Sequence, residues 1–196
     1  MSDNFKPAIA GYVQRLQQAI DGLDHDAIDL FIQTLLRARR EKRHIFIMGN
    51  GGSAATASHF CCDFNKGASH TSSSRFRFIC LNDNVPTLMA YANDLSYDDI
   101  FVEQLKNLFE PGDIVIGISG SGNSANVLKA VEYANANAGI TIGLCGYDGG
   151  RLKKAASQSI HVAVDDMQIS EDLHMILDHL CMKVICVNSD TLTTSK

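Results

Sequence analysis

No apolar stretch in this chain of 196 residues approaches the ~20 residues a membrane-crossing helix needs. No long basic run is present either. Seventeen Lys and Arg stand against 22 Asp and Glu, for a formal net charge of −5, which argues against a nucleic-acid surface and for a soluble protein. Any affinity for phosphate must therefore be local. A P-loop is excluded, because no Gly-Lys-Ser/Thr occurs. The six cysteines (Cys61, Cys62, Cys80, Cys145, Cys181, Cys186) lie within apolar patterns, and adjacent Cys61-Cys62 is not a metal motif. With no signal peptide upstream, reduced thiols in a cytoplasmic protein are the expectation. Neither an internal repeat nor a linker divides the chain, and 45% apolar content over this length suits one domain with a substantial core.

What the chain does have is helical spacing first and alternation afterwards. Residues 7 to 40 carry Ile9, Tyr12, Val13, Leu16, Ala19 and Ile20, then Ile28, Phe31, Ile32, Leu35 and Leu36, with a break near Gly22 to His25. That spacing predicts an antiparallel pair of helices within residues 1–41. Five short apolar runs follow, at about 44–49, 76–81, 114–118, 140–145 and 159–164, separated by helical patterns that suit parallel crossovers. The expected fold is therefore α/β, a five-stranded parallel sheet covered on both faces over residues 42–188. A last helix is expected over roughly 170–187, a frayed tail over 189–196, and a mobile loop at Lys66 to Ser74.

Two segments repeat one plan. His44-Ile45-Phe46-Ile47-Met48 leads into Gly49-Asn50-Gly51-Gly52-Ser53-Ala54, and Ile114-Val115-Ile116-Gly117-Ile118 leads into Ser119-Gly120-Ser121-Gly122-Asn123-Ser124. Glycine lets backbone N–H groups approach a ligand closely, serine adds hydroxyl donors, and a following helix offers orphan N–H groups. Such a place suits an anion, above all a phosphate. Both loops also satisfy G-x-G-x-x-A, a variant of the dinucleotide fingerprint. Ser119, Ser121 and Ser124 in one short loop favour a small terminal phosphate, although a simple turn with a helix cap is the plainer reading. Ligands on such sheets bind at the carboxyl ends of the strands, where both loops sit.

The chain from Met48 to Asp63, with Asn93-Asp94, the Gly117 to Ser124 segment and Gly146-Tyr147-Asp148-Gly149-Gly150, closely resembles the SIS (sugar isomerase) domain family. Within that family it is most similar to the phosphoheptose isomerases, over nearly the whole chain. The resemblance implies a three-layer α-β-α sandwich of flavodoxin-like type and a homotetramer with active sites between subunits. It also implies a zinc-supported conversion of sedoheptulose 7-phosphate to glycero-manno-heptose 7-phosphate. Residue by residue, it puts one zinc on His59, Asp63, Glu171 and His179, with Asp63 and His179 as acid/base candidates. Asn50, Gly51, Gly52, Ser53, Asn93, Asp94, Ser119, Gly120, Ser121, Ser124 and Glu171 would bind the substrate.

Asp63 and Glu171 depart from the family's usual glutamate and glutamine. On a helix opened by Ser53, His59 and Asp63 are four apart and share one face. On the last helix, positions 171 and 179 sit about 80° apart, whereas Asp172 lies about 20° from His179, which makes Asp172 a rival ligand. A lone histidine on a partly apolar helix is more often structural than a ligand, the reading for His161 and His174. Asp165, Asp166, Glu171 and Asp172 are most simply acids at a helix start.

Two other functions compete. One is a non-catalytic sugar-phosphate-binding SIS protein acting through a protein partner, against which the retained His59, His179 and Asp63 speak. The other is a nicotinamide dehydrogenase with Asp83 on the ribose, which leaves the N-terminal helices and the serine loop unexplained.

Overall fold

The computed structural model of the chain describes residues 4–69 and 73–192, with side chains through residue 188. Helices α1 (Lys6–Asp21) and α2 (His25–Glu41) come first. They are followed by β1 (Ile45–Gly49), α3 (Gly52–Cys62), β2 (Phe78–Cys80), α4 (Val85–Asp94) and α5 (Val102–Leu108). Then come β3 (Ile114–Ser119), α6 (Ala125–Ala136), β4 (Ile140–Cys145), α7 (Gly150–Ala155), β5 (Gln158–His161) and α8 (Met167–Leu192).

The five strands form one all-parallel sheet in the order β2-β1-β3-β4-β5. Alternate residues of a strand face opposite sides, and here both sides are apolar, as a parallel sheet requires. Ile45, Ile47, Ile116 and Leu144 point into a core shared with α2, α3 and α8, including Phe31, Leu35, Phe60 and Leu177. Phe46, Met48, Val115 and Cys145 point into a second core against α5, α6 and α7, including Leu105, Val127 and Leu152. The result is the expected three-layer α-β-α sandwich.

The N-terminal helices form where their spacing places them but dock separately rather than as a pair. Leu16, Ala19 and Leu23 pack with Val162, Ile169 and Leu173 beside α8, while Ile28, Phe31 and Ile32 of α2 enter the main core. The Asp24 carboxylate caps α2 by accepting from the N–H groups of Asp26 and Ala27, both at 3.0 Å. That cap explains the break near residue 24.

Helix α8 is longer than its spacing suggested and reaches Leu192, so the expected tail begins inside a helix and only residues 193–196 lie outside the described part. The expected loop of residues 66–74 is likewise shorter. Its first two residues belong to a π-helical turn, Asp63–Gly67, and Ser69 is buried, donating to Phe64 O at 2.7 Å. Residues 70–72 fall outside the described part.

Candidate active site

The strand order reverses at β1, which has β2 on one side and β3 on the other. A crevice opens there at the carboxyl ends of the strands, and both Gly/Ser loops border it. Gly51, with φ 57° and ψ −122°, makes the turn into α3, a backbone state that non-glycine residues avoid. Among the described residues no N-cap side chain caps α3 or α6; Asn126 Oδ1 accepts from Val127 N, and the first N–H groups of both helices are left to face the crevice. Ser124 opens α6 without capping it; its hydroxyl instead lies 2.9 Å from that of Ser119. The reading of this loop as a plain cap does not hold for Ser124.

A cavity of about 270 Å³ is lined by Gly51, Gly52, Ser53, Ser119, Ser121, Ser124 and Glu171, among others. Glu171 comes from α8, and its carboxylate lies over Gly52 at the amino end of α3. A neighbouring cavity of about 700 Å³ shares Ser121 and Met167 but carries two carboxylates, Asp148 and Asp165, against the single Glu171 of the serine cavity with its two helix starts, so it disfavours an anion more. The serine side is the better place for a phosphate.

Asn50 is largely committed to structure. Its amide and that of Asn126 donate to each other at 2.9 Å in both directions, and Tyr97 Oη also donates to Asn50 Oδ1 at 2.9 Å. These bonds tie the β1–α3 loop to the start of α6. The close approach of Gly122 to Gly149 and Gly150, with Leu152 N donating to Gly122 O at 2.8 Å, ties the serine loop to the β4–α7 turn. Here the Gly146 to Gly150 motif finds its structural reason.

Further along α3, a second group gathers. His59 Nε2 is 3.0 Å from His179 Nε2, 3.7 Å from Asp63 Oδ2 and 3.9 Å from Asp178 Oδ2. One ligand atom from each of His59, Asp63, Asp178 and His179 fits within a 4.8 Å span. Phe60 and Phe64 anchor the turn beneath, stacked at 5.7 Å and buried. At Asp63 the helix widens into the π turn, with Ala68 N donating to Asp63 O at 2.8 Å, a device that re-aims side chains. Asp178 is wholly buried; burial, and then the nearby Asp63, push its carboxyl up to about 7. Two imidazoles and two carboxylates are a donor set suited to zinc.

A match to the family model described as SIS domain covers residues 10–146. The chain belongs to the SIS domain family. Phosphoheptose isomerase of Helicobacter pylori is 34% identical over 181 residues, 92% of this chain and 93% of that one. Phosphoheptose isomerase of Chlorobaculum tepidum is 34% identical over 179 residues, 89% of this chain and 84% of that one. The structure of phosphoheptose isomerase GmhA from Neisseria gonorrhoeae superposes with a TM-score of 0.84 at 27% identity, over 93% of this chain and 98% of that chain.

Within this SIS domain, the expected site residues separate into three places. Asn50 to Ser53, Ser119 to Ser124 and Glu171 come together around one cavity, and His59, Asp63 and His179 meet along α3. Asn93 and Asp94 do neither. They sit exposed at the end of α4, where Asn93 Nδ2 donates to Asp94 Oδ1 at 2.8 Å. Of the four residues that the resemblance puts on zinc, Glu171 lines the cavity, and Asp178 stands beside the other three. Asp172, the rival ligand, faces away and accepts a hydrogen bond from the Tyr12 hydroxyl of α1. His161 is structural: its Nε2 lies 2.9 Å from Tyr147 O. Asp166 serves as a helix start, accepting from Ile169 N at 3.1 Å.

Proposed function

We propose that this SIS protein isomerises sedoheptulose 7-phosphate to glycero-manno-heptose 7-phosphate. The observation that carries the reading is the serine cavity at the strand switch point, joined by α3 and α8 to the His59, Asp63 and His179 group. The two helices run side by side in one direction. Glu171 meets Gly52, His179 meets His59, and Met182 meets Gly67. Seven residues of α3 separate Gly52 from His59, about 10 Å of helix. That separation suits a substrate whose phosphate and reacting carbons lie at opposite ends.

Ser119, Ser121 and Ser124, with the N–H groups opening α6, hold the phosphate and supply binding energy far from the reacting carbons. Ser53 and the remaining N–H of Asn50 face the sugar. A proton leaves the carbon beside the carbonyl, an enediol forms, and a proton returns to the neighbouring carbon; Asp63 carries this transfer through the carboxylate oxygen that a metal bond would leave free, with His179 beside it. A zinc ion on the histidine–carboxylate group would polarise the carbonyl and the adjacent hydroxyl when bound.

The apolar outer side of α1, with Phe5 65%, Ile9 61% and Val13 46% exposed, supports assembly as a homotetramer. Six free cysteines agree with a reducing cytoplasm. A coupled assay on a panel of phosphorylated ketoses, run with zinc and with chelator in deuterated water, tests the reaction. Turnover of the seven-carbon substrate with deuterium entering at the aldose C2 is the expected result. Binding of all the ketoses with neither turnover nor exchange sinks the enzyme reading.

A further inference from the structure

The turn of α8 opposite His59 holds a side chain that the sugar reading leaves without a task. Asp178 is wholly buried, and neither carboxylate oxygen finds a hydrogen-bond donor among the described residues. A carboxylate withdrawn from water without donors or a counter-charge is among the costliest groups to bury. Its Oδ2 points into the histidine group, 3.9 Å from His59 Nε2, and its ligand atom shares the 4.8 Å span with those of His59, Asp63 and His179. A divalent cation at that point would compensate both carboxylates at once, since two neutral imidazoles and two carboxylates balance a dication.

Glu171 is placed for something else. It precedes Asp178 by seven residues, two turns or about 10 Å along α8. Side chains on a helix lean toward its amino end, which carries Glu171 toward Gly52 and away from His59.

We propose that Asp178 is a direct ligand of the metal, completing a set with His59, Asp63 and His179, while Glu171 stays outside the coordination sphere in the sugar cavity. This rests on the reading of a metal-supported isomerase above. It assigns the second carboxylate to a residue that follows from this chain's own packing.

The test titrates the full-length apoprotein with Co²⁺, followed by its visible d–d absorption, and with Zn²⁺ against a chromophoric chelator. Asp178→Asn is expected to lose about tenfold or more in affinity and to change the Co²⁺ spectrum, whereas Glu171→Gln stays within about threefold with the spectrum unaltered. The reverse pattern, tight binding by Asp178→Asn and loss in Glu171→Gln, overturns the assignment while leaving the metal reading intact. Asn is nearly isosteric with Asp; should Asp178→Asn not fold, Asp178→Ser replaces it, and an altered Co²⁺ spectrum in Glu171→Gln alone still overturns the proposal. A wild-type protein that takes up neither ion overturns it too, and the ketose assay then decides separately whether isomerisation stands.

Discussion

Glu171 occupies the space that a side chain at residue 52 would need: a Cβ built on Gly52 falls 2.3 to 2.6 Å from the three carboxyl atoms of Glu171. Glycine at the first position of α3 is thus a matter of fit to α8 rather than of backbone conformation. The absent side chain lets a carboxylate rest over the amino end of a helix, where the dipole favours it.

Gly52→Ala should therefore keep the fold and lose function. Alanine suits a helix better than glycine by up to about 1 kcal/mol, and the clash is with the mobile end of a long side chain. We expect a melting temperature equal to or above the parent's, with kcat/KM lowered by roughly tenfold, about 1.4 kcal/mol. In a Glu171→Ala background the same change should do little more. Equal losses in both backgrounds would show that Glu171 is not the cause.

Gly122→Ala should do the opposite and strike stability first. Gly122 has φ 66°, and a Cβ there would meet Gly149 O at 2.1 Å, a backbone atom with no freedom to swing away. Strain of this kind costs on the order of 1 to 3 kcal/mol. Urea unfolding at neutral pH should register a loss of that size, and an unchanged midpoint would contradict the close packing of the two loops.

The alternating layout was legible because a parallel sheet buried on both faces writes itself as short continuous apolar runs, as in Ile45 to Met48 and Ile114 to Ile118. The serine loop was legible for a related reason, since its glycines and hydroxyls are adjacent in sequence. Asp178 was not. Helical angles measured from His179 rank Glu171 and Asp172, but which turn of α8 faces His59 depends on how α8 lies against α3, a tertiary fact. Glu171 and Asp178 share one helix face, about 20° apart after two turns, so periodicity cannot choose between them. One signal was available: in Met175-Ile176-Leu177-Asp178-His179-Leu180-Cys181 an acid and a histidine interrupt an apolar run, and a charge so placed calls for a partner. Asn93 and Asp94 lie apart from both groups, since a motif match carries no information on where the end of α4 lies.

Ser121→Ala should weaken sugar-phosphate binding without disturbing the fold. Ser119 and Ser124 face each other across 2.9 Å, whereas among the described residues Ser121 Oγ accepts a 3.2 Å bond from Asn123 N and donates to none, which leaves its hydroxyl hydrogen for an anion. A hydrogen bond to a charged group is worth on the order of 1.5 to 3 kcal/mol, so affinity should fall by roughly tenfold or more. Calorimetry with a ketose phosphate, alongside an unphosphorylated ketose as control, measures the effect. Unchanged affinity in a folded variant removes Ser121 from the phosphate site.

His174 should govern part of the acid sensitivity of the fold. It is wholly buried, and burial pushes its imidazole down to about 4. Above pH 6.5 the ring is neutral in both folded and unfolded chains and contributes no slope. As pH falls below 6.5 the unfolded chain takes up a proton that the folded one refuses, so stability drops with acidification until the folded value is reached. Between pH 7 and 5 that amounts to about 2 kcal/mol. Asp178, whose carboxyl is pushed up to about 7, works in the opposite direction over the same window in the metal-free protein, so the parent alone does not isolate either group. The difference between His174→Leu and the parent does. Measured by urea unfolding at a series of pH values, the variant should gain about 2 kcal/mol on the parent between pH 7 and 5. A difference that stays constant across that range would mean the histidine is protonated inside the fold, with the Cys145 carbonyl outweighing the effect of burial.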